Sequence, residues 1–209
     1  MTKATETPFH VVAFLGPAGA GKSTSAAMLC HYAHLLEGRS FKTLSFAGPL
    51  KKILRDQNPM VDTVEAGAWR LKDALADWPE AEVKHRFPEY RRLLQATGDA
   101  VKRHDPEFFV NAMRREIVKA SRDYSGVLID DLRFPAELDG LLSLPGAGFT
   151  VTTIRILPIE DPSLEGAHAS ETAMADYEAD YTVQAGEIDD LGRQLSDVYK
   201  AITEGSHGV

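Results

Sequence analysis

The chain has 209 residues, 44% of them hydrophobic and 26% charged, which is enough for one full α/β core and too few for two large domains. Its formal charge of −8 excludes a protein built mainly to coat nucleic acid, because backbone binding needs an excess of Lys and Arg. No stretch approaches the roughly 18 apolar residues of a membrane span, and the lone Cys30 cannot form an internal disulfide, so a soluble protein of the reducing cytoplasm is expected.

In chain order, the apolar run Phe9 to Leu15 ends at a glycine-rich turn and reads as a buried parallel strand. Ser23 to Glu37 carries Ala26, Ala27, Leu29, Cys30 and Ala33 at helical spacing and closes at Gly38, a helix ended by a glycine cap. Phe41 to Phe46 is a second strand, and Pro49 suits the first turn of a short helix over Gly48 to Asp56. From Gln57 to Pro88 the residues Trp69, Leu71, Leu75 and Trp78 suggest a helical insertion packed on its own aromatics. Helices over Glu89–Lys102 and Glu107–Asp123 follow.

The remainder alternates: a strand at Gly126–Asp131, a helix at Pro135–Leu142 and a strand at Phe149–Ile156. After a Pro- and acid-rich loop come a short helix near Ser170–Tyr177, a strand at Tyr181–Ala185 and a last helix from Ile188 to Ile202. Five strands alternating with helices predict one α/β domain over residues 1–209, a parallel sheet with helices on both faces. Charge is uneven along it: Lys84 to Arg122 sums to +5 and Phe134 to Val209 to −11. A basic middle segment suits a compact anion, and equally a solvated helix face.

The chemistry enters at Gly16-Pro17-Ala18-Gly19-Ala20-Gly21-Lys22-Ser23-Thr24, which fits G-x-x-x-x-G-K-[ST] between an apolar strand and a helix. Its glycines let successive N–H groups, those of Ala18 and Ala20 included, converge on a phosphate at the positive end of the helix. Lys22 would reach the β- and γ-phosphates of ATP, and Ser23 would ligate Mg²⁺. No N-K-x-D base-reading motif of a GTPase is present, and there is no zinc-spaced Cys/His cluster and no Ser/His/Asp arrangement. A small-molecule phosphotransferase of the P-loop NTPase fold is the class expected.

Four further segments resemble the bacteriophage deoxynucleoside monophosphate kinase family, among the nucleoside monophosphate kinase-like P-loop kinases. They are Ser45-Phe46-Ala47-Gly48-Pro49-Leu50-Lys51; Arg91-Arg92-Leu93-Leu94-Gln95 with Gly98 and Arg103; Asp131-Leu132-Arg133-Phe134-Pro135 with Glu137; and His168-Ala169-Ser170-Glu171. Asp99-Ala100 stands where that family usually has Thr-Glu, and Phe109 where tryptophan is common. The resemblance implies an acceptor-binding and helical insertion over about 47–123 and a mobile lid over about 157–177. It implies that Phe46, Ala47, Lys51, Arg91, Gln95, Arg103, Asp131 and His168 meet a deoxynucleoside monophosphate acceptor.

Asp130 and Asp131 both end the third strand; Asp131, two residues before Arg133 as in the resembling motif, is the one assigned to Mg²⁺ with Ser23. Leu157 to Ala175 contains no Lys or Arg, so Arg133 and Arg155, near strand ends, are assigned the transferring charge. Lys22, Arg133, Asp131 and Arg155 are thus the expected catalytic set, with ATP and Mg²⁺ as co-substrate and metal. Animal phosphomevalonate kinases share a similar D-x-R strand end and lid, which keeps phosphomevalonate, a modified nucleotide within DNA, or a slow nucleotide-binding switch open as alternatives. Neither stable nucleic-acid binding nor membrane association is expected, and a homodimer is the default for oligomeric state.

Overall fold

The computed structural model describes residues 8–63, 67–144, 148–159 and 172–204. They form two compact units, Met1–Phe46 with Val110–Val209, and Ala47–Phe109. In the larger unit, strands β1 (Phe9–Leu15), β2 (Phe41–Leu44), β5 (Gly126–Ile129), β6 (Phe149–Leu157) and β7 (Tyr181–Gln184) make one sheet in the order β2-β5-β1-β6-β7. Every pairing in it is parallel. Helix α1 (Lys22–Glu37) follows β1, α6 (Phe108–Ala120) precedes β5, α7 (Pro135–Leu142) follows it, and α8 (Ile188–Glu204) ends the described chain.

β1 is buried along its whole length, as an apolar run covered on both sides must be. Successive residues alternate between faces. Val12 and Phe14 join Leu128, Ile154, Ile156 and Val183 in one cluster with Ala26, Leu29 and Ala33 of α1 and Leu191, Leu195 and Tyr199 of α8. Each large side chain so buried contributes about 1.5–3 kcal/mol. Val11, Ala13 and Leu15 point to the opposite face and are equally buried, as are Met113 and Ile117 of α6 and Leu138 and Leu141 of α7. Those two helices are tied by Arg114 Nε donating to Gly140 O at 3.0 Å. They touch where a Cβ on Gly140 would lie 2.3 Å from Val110 Cγ1, so only glycine permits that approach. The expected α/β class with a five-stranded parallel sheet between helices is therefore the fold observed.

Element boundaries moved little where tertiary packing follows local pattern. Gly38 caps α1 in a left-handed conformation, φ 64°, donating to Ala33 and His34 carbonyls. β2 and β5 stop two residues earlier than expected, which frees residues 45–46 and 131, and the side chain of Asp130, for other partners. The expected short helix at 170–177 begins outside the described residues, and residues 173–176 form turns.

At the beginning of β1, His10 is 1% exposed. Its Nδ1 is 3.0 Å from Thr150 Oγ1 and its Nε2 3.2 Å from Arg39 Nη1. Arg39 can only donate, so Nε2 accepts and Nδ1 carries the proton. Arg39 also pairs with Glu37 at 2.8 Å, to which Tyr199 donates at 3.0 Å. Burial, then the Arg39 charge, against a smaller opposing pull from Glu37, lowers His10 to about 4. Because the unfolded histidine, near 6.5, binds its proton first as pH falls, stability is present above about 6.5 and drains away toward about 4. The expected loss over that window is up to roughly 3 kcal/mol. Melting temperatures from pH 7.5 to 4.5 should therefore fall, and the slope should flatten in His10→Gln.

The smaller unit, expected as a helical insertion, opens with α2 (Gly48–Gln57) and then an antiparallel hairpin, β3 (Met60–Thr63) with β4 (Gly67–Arg70). Helices α3 (Leu71–Asp77), α4 (Glu80–Arg86) and α5 (Pro88–His104) complete it. Asn58, in the left-handed region at φ 47°, ends α2, and its Oδ1 accepts from Lys72 N at 2.8 Å, fixing the start of α3. Leu54, Val61, Leu71, Ala74, Val83, Phe87 and Tyr90 form its own core, with Trp69 and Trp78 half-buried against it. Both tryptophans have the packing role expected of them, edge to face with ring centroids 4.9 Å apart. Among the described residues no helix is long and apolar enough to cross a membrane.

Candidate functional site

The glycine-rich turn leaves β1 at the carboxyl edge of the sheet, where open α/β sheets bind ligands. Gly16, Gly19 and Gly21 all have positive φ, at 141°, 80° and 91°. Gly21 is the N-cap of α1, with no side-chain cap and no acidic residue in the first turn. The positive end of a sixteen-residue helix thus faces the turn with no acidic residue of its own in the first turn. Gly16 has a second constraint: a Cβ there would sit 2.4 Å from Ile156 O of β6. Gly16→Ala combines left-handed strain with that clash, and a loss of about 3 kcal/mol or more is expected, read as a lower denaturant midpoint at unchanged m-value.

Lys22 is only 8% exposed. Its Nζ donates to Gly16 O and Pro17 O, each at 2.7 Å, so the ammonium is folded over the turn it belongs to. Ala20 is buried, while Ala18, Gly19, Ser23 and Thr24 are exposed.

Ser23 Oγ donates to Asp130 Oδ2 at 2.7 Å. Asp131, which the sequence reading pairs with Ser23, is turned elsewhere: it accepts from Ser45 Oγ at 2.6 Å and from Phe46 N at 2.7 Å. The physical reason is the pleat, which sends neighbouring residues to opposite sides, and the Asp130 N–H still reaches Leu44 O at 3.4 Å at the end of the ladder. The oxygen pair beside the turn is therefore Ser23 with Asp130. Hard oxygen donors suit Mg²⁺, which keeps several water and phosphate ligands and needs only one or two from protein; among the described residues no cluster of three or more His, Cys, Asp or Glu forms a fuller cage.

Arg133 follows this strand end, half-buried. Glu137 Oε2 accepts from the backbone N–H of Arg133 at 2.9 Å and of Phe134 at 3.1 Å. Glu137, 7% exposed, thereby caps α7 and holds the bend that carries Arg133. Arg155, in register beside Leu15 of β1, donates through Nη2 to Met174 O at 2.8 Å and to Tyr177 O. Asp180 accepts from Thr153 N and Oγ1, both at 2.7 Å. Together they tie the chain entering β7 to β6. These backbone-directed bonds are invisible in sequence because carbonyls have no residue signature.

The other expected acceptor residues are distributed as follows. Phe46 is 4% exposed and part of the core of its unit. Ala47 is the N-cap of α2, its carbonyl accepting from Lys51 N at 2.9 Å. Arg91, Gln95 and Arg103 are exposed on α5. At about 100° per residue, Arg91 and Gln95 share a stripe with Lys102, whereas Arg103 lies roughly 120° round from Arg91. Lys102 lies 6.0 Å from the Phe109 ring centre. His168 lies outside the described residues.

Lys51 Nζ is 3.1 Å from Glu80 Oε1, and Lys84 Nζ is 3.0 Å from the same oxygen. Burial raises the Glu80 carboxyl, but the two ammonium groups outweigh it and hold the group below the usual carboxylate range. Beside it the Tyr90 phenol, completely buried, is pushed up to about 12, first by burial and then by the Glu80 charge.

No protein-family model and no curated protein matches the chain. Among solved structures it is similar to a hexameric APS kinase from Thiobacillus denitrificans, at 15% identity and TM-score 0.47, over 96% of this chain and 30% of that one. It thus spans under a third of the length of that protein. A shikimate kinase from Acinetobacter baumannii, solved with shikimate, aligns over 97% of both chains at 16% identity and TM-score 0.43. Cobyrinic acid a,c-diamide synthase from Mycobacterium smegmatis, solved with ADP and magnesium, aligns at 16% identity and TM-score 0.41, over 91% of this chain and 81% of that one.

Proposed function

We propose that this chain is an ATP- and Mg²⁺-dependent phosphotransferase whose acceptor is a deoxynucleoside monophosphate, which it converts to the diphosphate. The observation that carries the reading is the turn at Gly16–Ser23: three glycines at positive φ, an uncapped helix start, and a buried lysine beside a Ser23–Asp130 oxygen pair. In this reading Gly16, Ala18, Gly19, Ala20, Gly21, Ser23 and Thr24 cradle the phosphates of ATP. Lys22 exchanges its carbonyl partners for the β- and γ-phosphate oxygens. Ser23 and Asp130 hold the metal; when bound, Mg²⁺ supplies neutralisation of charge on the transferring phosphates.

Arg133, on the bend fixed by Glu137, compensates the charge that develops on the transferred group. Arg155, expected in the catalytic set, instead holds the segment that returns to β7, because its guanidinium donates to the carbonyls of Met174 and Tyr177. Asp131 sets the turn Ser45–Phe46 that leads to Ala47 and Lys51. Lys51, Arg91, Gln95 and Arg103 bind the acceptor, as the family resemblance implies. A phosphate oxygen is already ionised at neutral pH, so the transfer needs no general base.

A coupled assay of ADP release across the four deoxynucleoside monophosphates, their ribose counterparts, phosphomevalonate and single-stranded DNA tests this. A deoxynucleoside monophosphate should stimulate release most. Stimulation by phosphomevalonate or DNA alone would move the acceptor to that class, and nucleotide binding without any stimulation would make the chain a switch.

A further inference from the structure

The unit Ala47–Phe109 contains a charge cluster of which the resemblance singles out Lys51 alone. Lys51 comes from α2, Lys84 and Glu80 from α4 one turn apart, and Tyr90 from α5. Both ammonium groups meet one carboxylate oxygen, at 3.1 and 3.0 Å, and the three side chains are only 24–33% exposed. A surface pair of this kind would contribute little, and a single lysine would satisfy one carboxylate. Here two cations share one anion, leaving the cluster with a net positive charge. Neither Glu80 Oε1, for which the two ammonium groups are ion-pair partners, nor the completely buried Tyr90 Oη beside it has a hydrogen bond of good geometry, although buried polar groups are normally satisfied. Each ammonium has three donors, so Glu80 does not exhaust them.

We infer that Glu80 is a positioning residue that holds Lys51 and Lys84 together as a paired cation for the phosphate group of the acceptor, which makes Lys84 a second phosphate-binding lysine. The ligand class is a phosphate monoester. This rests on the proposed function only in identifying that monoester with the reaction's acceptor. Two ammonium groups brought to one point repel each other; without the carboxylate they separate into solvent, and the paired site is lost even though net positive charge rises. Positioning and simple electrostatics thus give opposite signs for Glu80→Gln, which makes the idea testable.

The measurement is the dissociation constant of inorganic phosphate and of the four deoxynucleoside monophosphates, by ³¹P NMR titration of the full chain without ATP, alongside turnover. Lys84→Ala and Glu80→Gln should each weaken binding of inorganic phosphate and of the preferred monophosphate about tenfold, with the KM for ATP unchanged. Lys84 is partly exposed on its helix, so its variant remains informative if Glu80→Gln folds poorly. Wild-type affinity in Lys84→Ala, tighter phosphate binding in folded Glu80→Gln, or no binding of any of these probes by the wild type would overturn the inference. Phosphate binding that depends on both lysines, with no turnover of any deoxynucleotide, would sink the proposed function and leave the paired site standing. The reverse, normal turnover indifferent to Lys84 and Glu80, would do the opposite.

Discussion

Lys22→Ala is expected to lower kcat at least about 100-fold, equivalent to roughly 2.7 kcal/mol of transition-state stabilisation, while the protein stays folded. In the structure the ammonium is drawn into the glycine turn and donates to two carbonyls. Removing it costs those hydrogen bonds but also relieves a cation held almost out of solvent, so the net effect on stability is small. Under the proposed function its effect on turnover is large because the lysine would follow the γ-phosphate as charge moves, an interaction stronger in the transition state than in the ground state. Single-turnover rates at saturating ATP and acceptor, with circular dichroism as the control for folding, give the answer. A folded variant that keeps more than about a tenth of the wild-type rate would place this lysine outside the phosphate site.

The second large effect separates two adjacent carboxylates. Asp130→Asn should reduce kcat about 100-fold and raise the Mg²⁺ concentration needed for half-maximal rate, because the oxygen beside Ser23 loses its charge. Asp131→Ala should act chiefly on stability. It leaves the Phe46 N–H, donated to Asp131 at 2.7 Å, without an acceptor, at a cost of about 1.5–3 kcal/mol. The discriminating data are a Mg²⁺ titration of initial rate and a melting curve for each variant. If Asp131→Ala instead shifted the Mg²⁺ dependence and Asp130→Asn did not, the metal would belong to Asp131.

That contrast shows where local reading reaches its limit. The glycine-rich turn Gly16–Ser23 was legible because it is a contiguous device: its glycines, its lysine and the helix it opens lie within one stretch of chain. The five sheet strands and their parallel arrangement were legible for the same reason, since apolar runs separated by helical periods leave a parallel sheet as the way to bury both faces. The hairpin Met60–Arg70 was read as part of a helical insertion, because strands of four residues are too short to establish a period of two against neighbouring Trp69 and Leu71.

Other features depend on the register of distant segments and leave no local trace. Whether Asp130 or Asp131 meets Ser23 is decided by where the β5 ladder stops, since one residue of pleat reverses a side chain. Arg155 is held by the carbonyls of Met174 and Tyr177, atoms that every residue has. The convergence of Lys51 and Lys84 on Glu80 required α2 and α4 to be brought together, and the spacing of 29 residues between Lys51 and Glu80 has no period that could announce it. The sequence by itself determined the glycine-rich turn, the α/β class and the two faces of the sheet, which follow from covalent neighbours and hydrophobic period. Tertiary structure alone decided which charged groups share an oxygen, because electrostatic partnership is set by distances that only packing creates.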